Sequence, residues 1–239
     1  MQPVKSVSHF VRQLKSGLLA WVMVATAGWI IGLLLTRVVG HATMADLDHP
    51  IRQFFATHQQ SSVHRVMADV TLAGTDRVVG TVALATGLAL RWQHKTWIPM
   101  MLMFAAYLGA ATIAVGDKFA VARGHAHGHG LMSLAAYAFP SGHATQAAAV
   151  YATLALLTTA RARRSTRLLI GMLAFALVLA VAFSRVYLGA HWFTDAAAGL
   201  LLGSLWAAAL AAITGLGARQ FSLLSMLPNR NDRDYDLAA

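Results

Sequence analysis

The sequence predicts an all-α integral membrane protein, a single-domain bundle of six transmembrane helices. Of its 239 residues, 57% are hydrophobic and only 12% are charged, a balance that soluble domains of this size rarely reach. Apolar stretches of about 20 residues, long enough to cross a bilayer, recur along the chain. The predicted spans are residues 18–36, 78–92, 97–116, 144–160, 168–183 and 196–216. The second span is the least apolar, and it could begin as early as Val66 if the nearby charges face the protein interior or the interface.

The distribution of lysine and arginine predicts how the bundle is oriented. If both termini are cytoplasmic, the cytoplasmic segments hold about twelve of the 19 basic residues, as the positive-inside rule requires. We therefore predict a multi-pass protein of the bacterial inner membrane with both termini in the cytoplasm. Residues 1–239 form one domain, with a core at about 48–216 and a polar cytoplasmic tail at 221–239.

Composition excludes several classes of function. The chain has no cysteine, so disulfides and thiolate chemistry are absent, and its nine acidic residues are all aspartates. The formal charge of +10 is typical of cytoplasmic loops facing anionic lipid, and no basic stripe with interleaved aromatic residues indicates nucleic-acid binding. The membrane, and no nucleic acid, is the predicted partner; the oligomeric state stays open.

Three polar stretches fall on the outer face in this topology, and the first lies at residues 118–123. Lys118 and Arg123 come close together if the third span continues for one more helical turn. Two cations with few acids nearby favour an anion site. The alternative is that both side chains extend to lipid headgroups at the interface.

The second stretch, residues 139–143, reads Phe-Pro-Ser-Gly-His and precedes a long apolar helix. Pro140 suits the first turn of a helix, whose free N–H groups and positive dipole end attract anions. Gly142 lets an oxygen approach the backbone, Ser141 offers a hydroxyl, and His143 can donate a proton. The alternative is an ordinary helix cap with an isolated histidine.

The third stretch, residues 184–195, has the most specific spacing in the chain. If the sixth helix begins near Ala190, His191 and Asp195 lie four residues apart on one helical face. The carboxylate can then hold one imidazole nitrogen and leave the other as a nucleophile or base. Arg185 can bind a phosphate in bidentate fashion beside them. The alternative is a purely structural pair.

Alternating histidines at residues 125–129 could bind a divalent metal, but glycine-rich spacing makes a poor preformed site. We favour a polar loop above the site and predict no metal there.

These motifs resemble the type 2 phosphatidic acid phosphatase superfamily, which includes glucose-6-phosphatases and vanadium haloperoxidases. The resemblance spans about residues 48–216. The second family motif, Pro-Ser-Gly-His, is complete at residues 140–143, and the third, Ser-Arg followed by His and Asp, is complete at residues 184–195.

The resemblance implies a role for each site residue. His191 would attack phosphorus to form a phosphohistidine, Asp195 would orient it, and His143 would protonate the leaving oxygen. No metal or cofactor would be needed. The phosphate oxygens would be held by Lys118, Ser141, Gly142 and Arg185.

The first family motif is incomplete. The family pattern is Lys, six residues and then Arg-Pro, whereas His125 and Ala126 occupy the last two positions here. An unperturbed histidine is charged only below about pH 6.5. We hypothesise that His125 binds phosphate when protonated; alternatively Arg123, which matches an arginine that many members carry two places earlier, fills the role alone.

The resemblance implies a lipid phosphatase acting at the outer leaflet. Its substrate would be a lipid phosphate monoester or diphosphate, such as undecaprenyl diphosphate, phosphatidylglycerol phosphate or phosphatidate, and the sequence does not choose among them. Two alternatives remain open: a phosphotransferase that passes the phosphoryl group to another lipid, and a non-catalytic membrane binder.

Overall fold

The computed structural model describes residues 45–121, 138–160 and 162–214, and all regular elements among them are helices. The predicted first span at residues 18–36 and the tail at 221–239 lie outside the described residues. A short 3-10 turn, Ala45–Leu47, leads into the α-helices. These are α1 (Asp48–Thr57), α2 (Ser61–Leu72), α3 (Asp76–His94), α4 (Ile98–Val121), α5 (Gly142–Thr158), α6 (Arg164–Tyr187) and α7 (Phe193–Thr214).

Among the described helices, three are long and apolar enough to cross a membrane: Ile98–Phe119 within α4, and the whole of α6 and α7. α6 carries its large apolar side chains on the outside, with Met172, Leu173 and Phe175 more than half exposed. A stable water-soluble surface does not expose such a patch, so this face meets lipid. The all-helical membrane fold is thus confirmed, whereas the number of six spans and the orientation of the termini remain predictions.

The alternative in which the second span begins as early as Val66 is wrong, because the helix is interrupted between α2 and α3. α2 ends at Leu72 and α3 begins at Asp76. The side chain of Thr75 caps α3 by accepting the N–H of Val78 at 3.4 Å, and Asp76 places a negative charge at the positive end of the helix dipole. The local sequence therefore starts a new helix here.

The close approach of α5 and α7 depends on two glycines of α7. A Cβ atom added to Gly199 would lie 2.7 Å from the carbonyl oxygen of Ser141, and one added to Gly203 would collide with the carbonyl oxygen of Thr145. Small residues four apart let membrane helices approach to backbone contact. This contact sets the first turn of α5 beside the first turn of α7.

α4 packs against α7 through the indole ring of Trp206. Gly109 leaves the space that the Trp206 ring fills, and Trp206 Nε1 donates a hydrogen bond of 3.0 Å to the carbonyl oxygen of Ala105. Trp206 is buried in the main core together with Val79, Met103 and Leu202. The C-terminal ends of α4 and α6 and the N-terminal ends of α5 and α7 consequently meet at one end of the bundle, where Lys118 and the second and third polar stretches lie.

Candidate active site

The loop between α6 and α7 folds back onto the end of α6. Gly189 has a φ of 68°, a left-handed conformation that favours glycine, and it reverses the chain. The N–H groups of Ala190 and His191 then both donate to the carbonyl oxygen of Arg185, at 3.0 and 3.2 Å. This local geometry holds His191 beside the guanidinium-bearing end of α6.

The prediction that α7 begins near Ala190 is wrong, because the helix begins at Phe193 and His191 precedes it. Asp195 causes the difference: its Oδ2 accepts the N–H of Trp192 at 3.0 Å and caps the first turn. The predicted pair nevertheless forms, since Nδ1 of His191 lies 3.6 Å from Oδ2 of Asp195, with both side chains buried. Nε2 is therefore the ring nitrogen that faces away from the carboxylate.

Burial lowers the pKa of His191 below its usual value near 6.5. The nearby carboxylate of Asp195 acts in the opposite direction, while the positive charges of Arg185 and Lys118 add to the lowering. The imidazole is consequently neutral at pH 7. A neutral imidazole held at Nδ1 has a lone pair at Nε2, as a nucleophile requires.

The start of α5 lies directly against this pair. The N–H of Ser141 donates to the carbonyl oxygen of Asp195 at 3.0 Å, which joins the second and third motifs through their backbones. α5 begins at Gly142, so Pro140 precedes the first turn and does not occupy it as predicted. A Cβ atom on Gly142 would meet nothing within 4 Å in the part of the chain that the structure describes, so none of those residues blocks the approach to the helix end.

This helix start offers hydrogen-bond donors to an anion. The Oγ of Ser141 is buried and has no hydrogen-bond partner among the described residues. The first N–H groups of any α-helix lack acceptors within the helix, and here they follow directly after Ser141. Together with the positive end of the helix dipole, they form the kind of site that binds phosphate.

Four cationic or imidazole groups converge at this end of the bundle. The charges of Arg185, His191 and Lys118 all act on His143, and those of Asp195 and Arg185 act on Lys118. α4 continues past Gly116 through Lys118, as the anion-site interpretation requires. The structure thus brings together Lys118, Ser141, Gly142, His143, Arg185, His191 and Asp195; Arg123 and His125 lie outside the described residues.

Arg185 is oriented by a residue that the sequence did not single out. Its Nη1 donates to the Oγ1 of Thr71 at 3.0 Å, whereas its Nε is buried without a hydrogen-bond partner in the described part of the chain. An unpaired buried donor is costly. A phosphate oxygen would satisfy it, so this edge of the guanidinium is suited to an anion.

Asp48 is a second residue that sequence reasoning missed. It is buried, and its two oxygens accept the N–H and the hydroxyl of Thr194 at 3.0 and 2.7 Å. Asp48 thereby fixes the first turn of α7 from outside that helix.

Among the residues that the structure describes, no three His, Cys, Asp or Glu side chains group so as to hold a metal ion.

A paired histidine and aspartate thus lie beside cations and a helix start at one end of the bundle, an arrangement suited to phosphoryl transfer, and known proteins offer a comparison. Residues 118–216 match the model of the PAP2 superfamily. Phosphatidylglycerophosphatase B of Bacillus subtilis is 24% identical over 175 residues, which cover 72% of this chain and 86% of the relative. A crystal structure of a transmembrane PAP2 type phosphatidylglycerolphosphate phosphatase from Bacillus subtilis matches with a TM-score of 0.71 and 21% identity, covering 82% of this chain and 98% of that one.

Residues 118–216, which carry the second and third motifs, are thus similar to the PAP2 superfamily, and the comparisons support a membrane phosphatase of the PAP2 type. The resemblance drawn from the second and third motifs is thereby confirmed.

Proposed function

We propose that this protein hydrolyses the phosphate monoester or diphosphate of a membrane lipid through a phosphohistidine on His191. The observation that carries the proposal is the pairing of buried His191 with Asp195 at 3.6 Å, beside the open start of α5. A binding protein needs phosphate donors but has no use for a neutral imidazole oriented by a carboxylate.

The reaction has two steps. Nε2 of His191 attacks phosphorus, the bond from phosphorus to the lipid oxygen breaks, and His143 gives its proton to that oxygen. Asp195 stabilises the positive charge that develops on the imidazole. Water then attacks the phosphorus of the phosphohistidine while His143 takes up a proton from that water; the bond between phosphorus and Nε2 of His191 breaks, and inorganic phosphate leaves.

The phosphate oxygens are held by cations and by the start of α5. Lys118 and Arg185 supply positive charge, and the start of α5 supplies the hydroxyl of Ser141 and the backbone donors at Gly142. These groups stabilise the negative charge on the phosphate oxygens more strongly in the transition state than in the ground state. The sequence adds Arg123 and His125 to this set as proposed phosphate ligands. His143 stands within the field of the same cations.

An apolar groove supports a lipid as the substrate. It has a volume of about 830 Å³, within the usual range of ligand pockets, and lies between α1, α6 and α7. The groove reaches the first turn of α7, where Phe193 precedes Asp195 and Ala196 follows it. A lipid chain in the groove would bring its headgroup to the histidines. Phosphatidylglycerol phosphate, the substrate that the relative's name implies, is the first to test.

The decisive experiment measures phosphate release from a lipid panel by purified protein. Phosphatidylglycerol phosphate, undecaprenyl diphosphate and phosphatidate are compared in detergent, with His191→Ala as the test variant and His64→Ala, an exposed histidine of α2, as its control. We expect release with the wild type and His64→Ala and none with His191→Ala. Equal, negligible release from all three proteins, with or without a second lipid, would favour the non-catalytic binder. Loss of the phosphoryl group from the donor only when a second lipid is present, with that lipid becoming phosphorylated and no inorganic phosphate released, would favour the phosphotransferase.

The groove has its own test in α7. Ala197 is exposed and lines the groove, so Ala197→Phe narrows the groove without burying a ring in the core. We expect a higher KM for long-chain lipid phosphates and an unchanged KM for a short-chain soluble phosphate. Leu201→Phe, exposed on the same helix but outside the groove lining, is the matched control. Equal effects of both variants would contradict the assignment.

We further propose that the site faces the periplasm or exterior. Because the chain has no cysteine, single cysteines report sidedness without background. Ser62, at the site end of the bundle, and Gln93, near the far end of α3, are both exposed. A membrane-impermeant maleimide should label Ser62→Cys in intact cells and Gln93→Cys only after permeabilisation; the reverse pattern would place the site in the cytoplasm.

A further inference from the structure

The junction of α2 and α3 contacts two groups of the candidate active site; residues 71–74, the last two of α2 and the first two of the connection to α3, are called the turn below. It precedes residues 118–216, the part of the chain that matches the family. Three of its residues make separate contacts: Thr71 with α6, Ala73 with α5, and Gly74 with both helices. A turn between two helices has no evident reason to make all three unless it supports the site.

Thr71 fixes the guanidinium of Arg185. Its Oγ1 accepts from Nη1 at 3.0 Å, and no other described hydrogen bond holds that side chain. One anchored nitrogen limits the rotation of the planar guanidinium and so fixes the direction of Nε, which is buried and lacks a partner in the described part of the chain. Preorganised donors of this kind strengthen binding of an anion.

Gly74 fixes the space around His143. A Cβ atom at this position would lie 3.1 and 3.3 Å from the Cβ and Cδ2 of His143, and 2.5 Å from the Cγ1 of Val181. The backbone of the turn therefore packs directly against the imidazole and leaves no room for a side chain.

Ala73 ties the turn to the helix that carries His143. The hydroxyl of Tyr151, in α5, donates to the carbonyl oxygen of Ala73 at 2.7 Å. The turn thus has a fixed position relative to α5, while its first residue holds a side chain of α6. It connects the helix of the acid with the helix of the phosphate-binding arginine.

We propose that Thr71 and Gly74 are positioning residues: Thr71 aims Arg185 at the phosphate, and Gly74 holds the ring of His143 in place. The roles of Arg185 and His143 in this statement rest on the proposed function. Neither Thr71 nor Gly74 touches the substrate.

The Thr71 arm is tested by the affinity of the purified, detergent-solubilised protein for inorganic phosphate, a readout that does not require turnover. Thr71→Val keeps the shape but removes the acceptor, and it should weaken binding about tenfold. Thr71→Ser restores the hydroxyl and should stay within about twofold of the wild type. Thr112→Val is the matched control, because Thr112 is an exposed threonine whose hydroxyl bonds only to the carbonyl oxygen of Leu108 in its own helix.

The Gly74 arm is tested by the choice of leaving group. The first variant is Gly74→Ala, whose added methyl group displaces the ring of His143. It should slow hydrolysis of an alkyl phosphate, whose leaving oxygen needs a proton, by about tenfold or more. Hydrolysis of p-nitrophenyl phosphate, whose leaving group is stable as an anion, should change little. Gly171→Ala is the control, since a Cβ atom there meets nothing within 4 Å.

A second variant separates positioning from folding. Gly74→Ala combined with Val181→Ala removes the closer overlap and leaves the one with His143. We expect this pair to recover the melting temperature while keeping the selective loss on the alkyl phosphate. An equal loss on both substrates, or a complete recovery of activity with the melting temperature, would overturn the Gly74 part.

The two levels of proposal fail separately. If the wild type hydrolyses no substrate, the proposed function fails, and the phosphate affinities of the Thr71 variants still decide the positioning role. If the wild type is active but Thr71→Val binds phosphate as well as Thr112→Val does, the Thr71 part is wrong while the proposed function stands.

Discussion

Asp195→Asn isolates the charge of Asp195 from its structural role. In the wild type, Oδ2 of Asp195 accepts the N–H of Trp192 at 3.0 Å. The amide oxygen of asparagine can accept the same N–H, so the variant should keep the cap on α7. What is lost is the negative charge 3.6 Å from Nδ1 of His191. At an effective dielectric constant of about 20, Coulomb's law gives roughly 4.6 kcal/mol for a full positive charge at that distance.

That energy sets the expected loss of turnover. A full charge forms on the imidazole only when the bond to phosphorus is complete, and each 1.36 kcal/mol corresponds to about tenfold in rate, so kcat should fall by roughly 10³-fold. The assay is phosphate release at saturating lipid, with Asp69→Asn, an exposed aspartate of α2, as the control. A kcat of Asp195→Asn within about tenfold of the wild type, at an unchanged melting temperature, would refute the role of the carboxylate, since tenfold is only about 1.4 kcal/mol.

Three further perturbations follow from the same contacts. Because burial lowers the pKa of His191 and the proposed mechanism uses its neutral form, the loss of kcat/KM caused by protonation of His191 should be centred below pH 6.5; a loss centred above pH 6.5 would contradict this reasoning. Asp48→Ala removes the two hydrogen bonds that Asp48 accepts from buried Thr194, so thermal unfolding should show a loss of about 2 kcal/mol, and an unchanged melting temperature would argue that these bonds do not stabilise the start of α7. Gly199→Ala places a methyl group 2.7 Å from a carbonyl oxygen of α5, so it should lower the melting temperature and the activity together, at a cost of about 1–3 kcal/mol; an active, equally stable variant would show that the helices can separate freely.

Hydropathy predicted the helices that are apolar along their whole length. The predicted spans at 97–116, 144–160, 168–183 and 196–216 coincide with α4 to α7, because long apolar stretches leave few other folds in a bilayer. α1 and α2 were not predicted, since each is short and places polar residues among its apolar ones. The glycines at 199 and 203 have the small-residue spacing of a close helix contact, and this signal was available in the sequence but was not used.

The chemistry of the site was predictable because its motifs are local, whereas its support was not. His143, Arg185 and His191 stand out by residue type and spacing within short stretches. Thr71 and Asp48 act on residues more than 100 positions later in the chain, and contacts at that separation leave no periodic pattern in a single sequence. The spacing prediction assumed that His191 and Asp195 both lie within α7, one helical turn apart. The two residues do pair, but α7 begins only after His191, because Asp195 caps its first turn at Trp192.

His191 and His143, the proposed nucleophile and acid, are set relative to each other mainly through the backbone. The N–H of Ser141 bonds to the carbonyl oxygen of Asp195, and the glycines of α7 bring the two helix starts into contact. The proposed cationic ligands Lys118 and Arg185, by contrast, are side chains of α4 and α6, and neither lies on α5 or α7. Replacement of the family's arginine by His125 should therefore alter phosphate affinity and its pH dependence, measured as KM, while leaving the geometry between His143 and His191 intact.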